Sequence, residues 1–172
     1  MIRLRTAIVV TALIVILAVA VRAKRGAALV LWQRIPIPDL KDGDFDHFAV
    51  DLQNQRLSLT AEANSAVEVF DLRTNKLIDT ISDVKTPHSI VYRAEFKRLF
   101  VVDGGSPGVK IFDGDSYKAI DTSKLLPAAD SMAYDPATKY MYVVNGGDDA
   151  QMTYSRLSAI DATSAKKVAD GC

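Results

Sequence analysis

The chain of 172 residues carries two histidines, and each stands where an imidazole could meet carboxylates. Asp46-His47, His88-Ser89 and Asp130-Ser131 follow one another at a constant offset of 42 residues. Imidazole is a common metal ligand and proton carrier. If successive copies of a repeat meet at one end of the fold, Asp46, His88 and Asp130 form part of a polar ring, with His47 beside the first of them. These four residues are the candidate ligand-binding set. The competing reading is that they satisfy backbone donors at strand starts or contact water.

The other polar clusters support less. Asp42-x-Asp44-x-Asp46 begins like a calcium loop, but the sixth position is His47 rather than glycine and the twelfth is Gln53 rather than glutamate. Asp103-Gly104-Gly105 and Asn145-Gly146-Gly147 are turns and lack the Gly-Lys-Ser/Thr of a phosphate loop. No Gly-x-Ser-x-Gly occurs. The single cysteine, Cys172, excludes an internal disulfide framework, a multi-cysteine zinc site and a Cys-x-x-Cys-His haem attachment. The sequence therefore assigns no catalytic residue, no metal and no cofactor.

The elements that would position the candidate set are repeats. The offset of 42 carries Arg56-Leu57 to Arg98-Leu99, Val69-Phe70-Asp71 to Ile111-Phe112-Asp113, and Ile78-Asp79-Thr80 to Ile120-Asp121-Thr122. It also carries Val101-Val102-Asp103-Gly104-Gly105 to Val143-Val144-Asn145-Gly146-Gly147. The third copy gains six residues around Asp148 to Tyr154 before Ala159-Ile160-Asp161 resumes the pattern. Each copy reads as four short apolar strands between turn residues, in the second copy near 88–92, 98–103, 109–113 and 118–121. Four antiparallel strands per repeat of this length predict a propeller blade, and the fold class is all-β, a partial β-propeller. The blades fall near 45–81, 87–123 and 129–169, with 29–37 as an orphan closing strand. Phe70, Phe112 and Ile160 are expected to fill inter-blade space, and Trp32 to pack beside the closing strand.

Residues 1–31 contain five cations and no acid, which leaves 16 basic against 21 acidic residues beyond them. An acidic body does not suit nucleic acid, which needs clustered cations. Thr6 to Val21 is an uncharged apolar run of sixteen residues. As a helix it would reach about 24 Å, short of a bilayer core of about 30 Å. Two arginines before it and small residues at its end match a secretory signal within residues 1–23, with an uncleaved anchor over 6–21 as the alternative. Either reading places the body outside the cytoplasm, periplasmic or secreted, touching membrane only through that segment.

Tyr142-Val143-Val144-Asn145-Gly146, its second copy Phe100-Val101-Val102-Asp103-Gly104 and the strand ends Val69-Phe70-Asp71 and Ala159-Ile160-Asp161 resemble the YVTN-type β-propeller family, a broad group of secreted or periplasmic repeat proteins. The first copy, Ser58-Leu59-Thr60-Ala61, departs from that pattern. The resemblance covers residues 29–168. It implies a seven-bladed parent of roughly 300 residues, of which this chain would be an amino-terminal part, with blade faces open to self-association. The family has no shared catalytic set. The function expected is a non-catalytic binding module or scaffold for a protein, peptide or small ligand. The alternative is a propeller enzyme, lactonase-like or dehydrogenase-like.

Overall fold

A computed structural model describes residues 30–171. The chain divides into the units Met1–Arg34 and Ile35–Cys172, and of the first only residues 30–34 are described. The apolar run 6–21 lies outside the described residues, as does Cys172. Among the described residues no helix is long and apolar enough to cross a membrane.

The second unit is twelve strands in three four-stranded antiparallel sheets. The first blade holds β1 (Phe48–Asp51), β2 (Arg56–Ala61), β3 (Ala66–Asp71) and β4 (Lys76–Ile81). The second holds β5 (Pro87–Arg93), β6 (Arg98–Asp103), β7 (Gly108–Asp113) and β8 (Ala119–Lys124). The third holds β9 (Met132–Asp135), β10 (Tyr140–Gly146), β11 (Ser155–Asp161) and β12 (Lys166–Gly171). Strands pair in chain order, and β5 lies between β1 and β9. This is the partial propeller architecture expected. The fourth strand of the second blade starts one residue later than the pattern suggested and runs on to Lys124.

The second blade shows why the repeat folds this way. Leu99-Phe100-Val101-Val102 is a continuous apolar run, each residue at most 1% exposed, as expected of a strand covered on both sides. Leu99 and Val101 join Phe112, Ile90, Val67 and Val69 between blades one and two. Phe100 and Val102 join Val109, Ile111, Met141, Val143 and Ile160 between blades two and three. Phe112 and Ile160 thus fill inter-blade space. Phe70 does not. Its neighbour Val69 takes the face toward blade two, so strand alternation turns Phe70 to the far face of blade one, opposite Leu57 and Leu77.

That far face also corrects the closing strand. Residues 30–37 pair into no sheet, and Trp32 is 89% exposed rather than packed. Pro36 and Pro38 remove two ladder donors. Instead Ile35, Ile37 and Leu40 are half-buried, and Ile37–Lys41 lies beside Ala66, Glu68 and Leu77 of blade one. Lys41 N–H donates to Asn64 Oδ1 at 2.8 Å, and Asn64 Nδ2 donates back to Lys41 O at 3.1 Å. The segment covers part of a face expected to stand open, and Phe70 is only 4% exposed.

Repeated arginines join the blades. Arg56 Nη1 donates to Gly114 O (3.2 Å) and Tyr117 Oη (3.1 Å) of blade two. Its repeat equivalent Arg98 donates to Ala162 O (3.1 Å) and Thr163 O (2.6 Å) of blade three. In each blade the pairing of third and fourth strands slips at the same place, leaving Ile78, Ile120 and Val168 as the extra residue of a β-bulge.

Two within-blade hairpins per blade lie at one end of the sheets. Aspartates close five of these six turns. Asp71 Oδ1 accepts Arg73 N–H and Thr74 N–H, both at 2.8 Å. Asp51, Asp113, Asp135 and Asp161 accept from the residues two or three positions on in the same way. Four residues after each of these aspartates the chain turns through positive φ, at Gln55, Asn75, Tyr117, Lys139 and Ala165. Arg73 beside Asp71, and the N–H of Thr74, hold its carboxyl down at about 2. Backbone and side-chain donors from Ser116, Thr138 and Ser164 lower Asp113, Asp135 and Asp161 likewise.

Candidate functional site

The opposite end of the blades carries the loops between outer strands and the entries to β1, β5 and β9. Three of the four sequence candidates meet there around one imidazole. His88 Nδ1 stands 3.1 Å from Asp46 Oδ2 and 3.9 Å from Asp130 Oδ1. A fourth group joins them: Glu62 Oε2 lies 3.9 Å from the same nitrogen. The His88 side chain is 21% exposed and that of Asp46 26%, so the centre is partly shielded while Asp130, at 59%, stands at its rim.

Local structure accounts for each position. Thr60 is fully buried in β2 and clamps the strand entry before β1. Asp46 N–H donates to Thr60 O (3.1 Å), His47 N–H to Thr60 Oγ1 (2.8 Å), and Thr60 N–H to His47 O (2.9 Å). Glu62 opens a 3-10 turn, Glu62–Asn64, that ends at Ser65 in the left-handed region. The turn lifts the Glu62 side chain to the mouth of the blade directly after β2.

His88 owes its freedom to a break in register. Pro87 pairs with Asp103 and Ile90 with Val101, so His88 and Ser89 fall outside the regular ladder of β5 and β6. Ser89 N–H reaches instead to Asp130 O at 3.4 Å, linking β5 to the entry of β9. Gly104 lies under the imidazole: a Cβ there would come within 2.9 Å of His88 Nε2 and 3.1 Å of Ala129 O. Glycine at this position leaves room for the Nε2 side of the ring, while Nδ1 meets the carboxylates.

The loop before β5 is fixed by Asp103, fully buried at the end of β6. Its carboxylate accepts the N–H groups of Lys85 (3.0 Å), Thr86 (2.9 Å) and Ser106 (3.2 Å). Asn145, its repeat equivalent, accepts Leu126 N–H at 3.2 Å and donates to Ser158 Oγ at 3.0 Å. The acidic or amide residue ending the second strand is thus a loop anchor.

His47 does not enter the cluster. Its Nδ1 lies 2.7 Å from Asp46 Oδ1, so it holds the oxygen that His88 leaves free. A pocket of about 340 Å³ adjoins the centre between blades two and three, lined by Thr86, His88, Gly104, Ala129, Asp130 and Asp149 among others.

Glu62 was missed by sequence reasoning, and a signal for it exists. The offset of 42 maps Glu62 onto Gly104 and Gly146. The first repeat breaks the Asp/Asn-Gly pattern with Ala61-Glu62, and the departure, rather than the match, marks the residue that joins the cluster.

No protein-family model matches the chain, and no curated protein matches it. Among solved structures it is similar to the hydrazine synthase of Kuenenia stuttgartiensis, with a TM-score of 0.64 and 18% identity. The likeness covers 85% of this chain and 38% of that one. At this identity the likeness speaks for the fold alone.

Proposed function

We propose that the chain belongs to an extracytoplasmic β-propeller that acts as a non-catalytic binding module, of the YVTN type that its Tyr142–Gly146 repeat resembles. The observation that carries this reading is the convergence of repeat-equivalent Asp46, His88 and Asp130 at one mouth, beside an open pocket. Both imidazoles are engaged by Asp46, and the nearby hydroxyl Ser89 Oγ donates to Met132 O at 3.4 Å. That arrangement lacks the hydroxyl–imidazole couple of nucleophilic catalysis. It suits recognition, and the concentration of carboxylates suits a cationic ligand. The apolar, cation-led start of the sequence supports the extracytoplasmic address.

The test is thermal-shift titration of the full chain with organic cations: choline, putrescine and lysyl dipeptides. A stabilising hit that His88→Ala abolishes supports the reading. A hit indifferent to His88→Ala moves the site elsewhere. Turnover of a lactone by the wild type, lost in His88→Ala, replaces the module with the enzyme reading.

A further inference from the structure

The mouth cluster has a donor set more specific than general polarity. Among the described residues, Asp46, Glu62 and His88 are the one group of three whose ligating atoms all lie within 4.8 Å of one another. Asp130 brings a fourth donor to 3.9 Å from the imidazole nitrogen. Three carboxylates therefore share two imidazoles, His88 among them and His47 on the other oxygen of Asp46, so at most two positive charges answer three negative ones. Elsewhere in the described residues, several acids meet lysine or arginine: Asp71 with Arg73, Asp83 with Lys110, Asp121 with Lys166, Asp170 with Arg156 and Lys167. The recorded ion pairs of Asp46, Glu62 and Asp130 are with histidine alone. Uncompensated like charges at this separation repel, so the arrangement calls for a cation from solution.

The geometry points to a divalent transition-metal ion of the zinc class, bound by His88 Nδ1, Asp46 and Glu62, with Asp130 closing the fourth side. This inference rests on the binding-module reading and specifies its ligand. Imidazole selects zinc over calcium, whose ligands are all oxygen. Ligand atoms about 2.1 Å from a tetrahedral zinc are about 3.4 Å apart. The observed 3.1 and 3.9 Å to Asp46 and Glu62 need only small side-chain adjustments to reach that shell. The support around the ligands is already present. His47 Nδ1 lies on the outer oxygen of Asp46, a second layer of the kind that orients metal-binding carboxylates. Gly104 leaves the space that the His88 ring occupies.

The experiment is calorimetric titration of the chelator-treated full chain with zinc, manganese and calcium chlorides. One equivalent of zinc is expected, bound at least about 100-fold more tightly than calcium. His88→Ala should abolish zinc binding. Glu62→Gln, an isosteric change at a half-buried turn residue, should weaken it by more than the roughly 10–100-fold typical of outer-layer changes. His47→Ala should fall within that outer-layer range. A melt of each variant separates loss of the site from loss of the fold. Zinc binding unchanged in Glu62→Gln, or calcium bound as tightly as zinc, overturns the proposal. If no metal binds but an organic cation still does so through His88, the metal is wrong and the binding module stands. If neither binds, both are wrong.

Discussion

The two ends of the blades use aspartate in opposite ways. At the hairpin end Asp51, Asp71, Asp113, Asp135 and Asp161 each accept backbone N–H groups two or three residues away, and their charges are spent on closing turns. At the loop end Asp46 and Asp130 point across blade boundaries at His88. Both sets recur at repeat spacing, so periodicity alone does not tell structural from functional acids. What separates them is the partner. A carboxylate whose backbone N–H donors come from its own turn stabilises the blade, whereas Asp46 and Asp130, met by His47, Ser131 and the neighbouring blade's His88, keep an oxygen turned toward the mouth.

Four measurements would sharpen or break that contrast. The largest effect belongs to the core on which both ends depend. Phe112→Ala empties space shared by blades one and two and should cost about 3–5 kcal/mol in denaturant unfolding. A near-neutral value would mean that the blades do not pack through this face.

Next comes the buried loop anchor. Asp103→Ala leaves three N–H groups without their acceptor, at an expected cost of about 2–3 kcal/mol. The variant should also weaken ligand binding at His88, because the loop leading to β5 loosens. Stability lost with binding untouched would separate anchor from site.

The third is the response to acid. The hairpin aspartates are depressed in the folded state, Asp71 from 3.8 to about 2. Their stabilisation is therefore complete above the unfolded value and is lost as pH falls through the folded one. Melting temperature should be flat near neutrality and drop between about pH 4 and pH 2. Asp71→Asn should make that drop shallower.

The smallest effect has the opposite sign. Glu62→Gln removes one of three clustered carboxylates, so stability should stay level or rise by up to about 0.5 kcal/mol. A clear loss would make Glu62 a structural residue and merge the two ends into one class.

Much of this architecture is legible in the sequence. The blades were legible because every copy solves the same packing problem, so Val69, Ile111 and Ala159 recur in step, as do their neighbours Phe70, Phe112 and Ile160. The meeting of Asp46, His88 and Asp130 was legible because strands with equal register end at equal heights. Which face each aromatic takes was harder: Phe70 and Phe112 are equivalent, but only Phe112 has a described blade on its side. The segment 30–37 misled because its composition is that of a strand, while a strand exists only where an edge accepts its hydrogen bonds. Glu62 escaped because repeat reading attends to agreement.

The recurrent bulge opposite Phe70, Phe112 and Ile160 has a consequence for solubility. The outermost strand of each blade, β4, β8 or β12, presents an unpaired backbone edge that could recruit another chain into edge-to-edge polymerisation. The extra residue at Ile78, Ile120 or Val168 breaks the spacing of donors and acceptors along that edge. Charged residues stand beside it: Asp79 next to Ile78, Asp121 next to Ile120, Lys167 next to Val168. An incoming strand would meet a kinked, charged border rather than a flat template. The rims are thereby protected from amyloid-like extension, blade by blade.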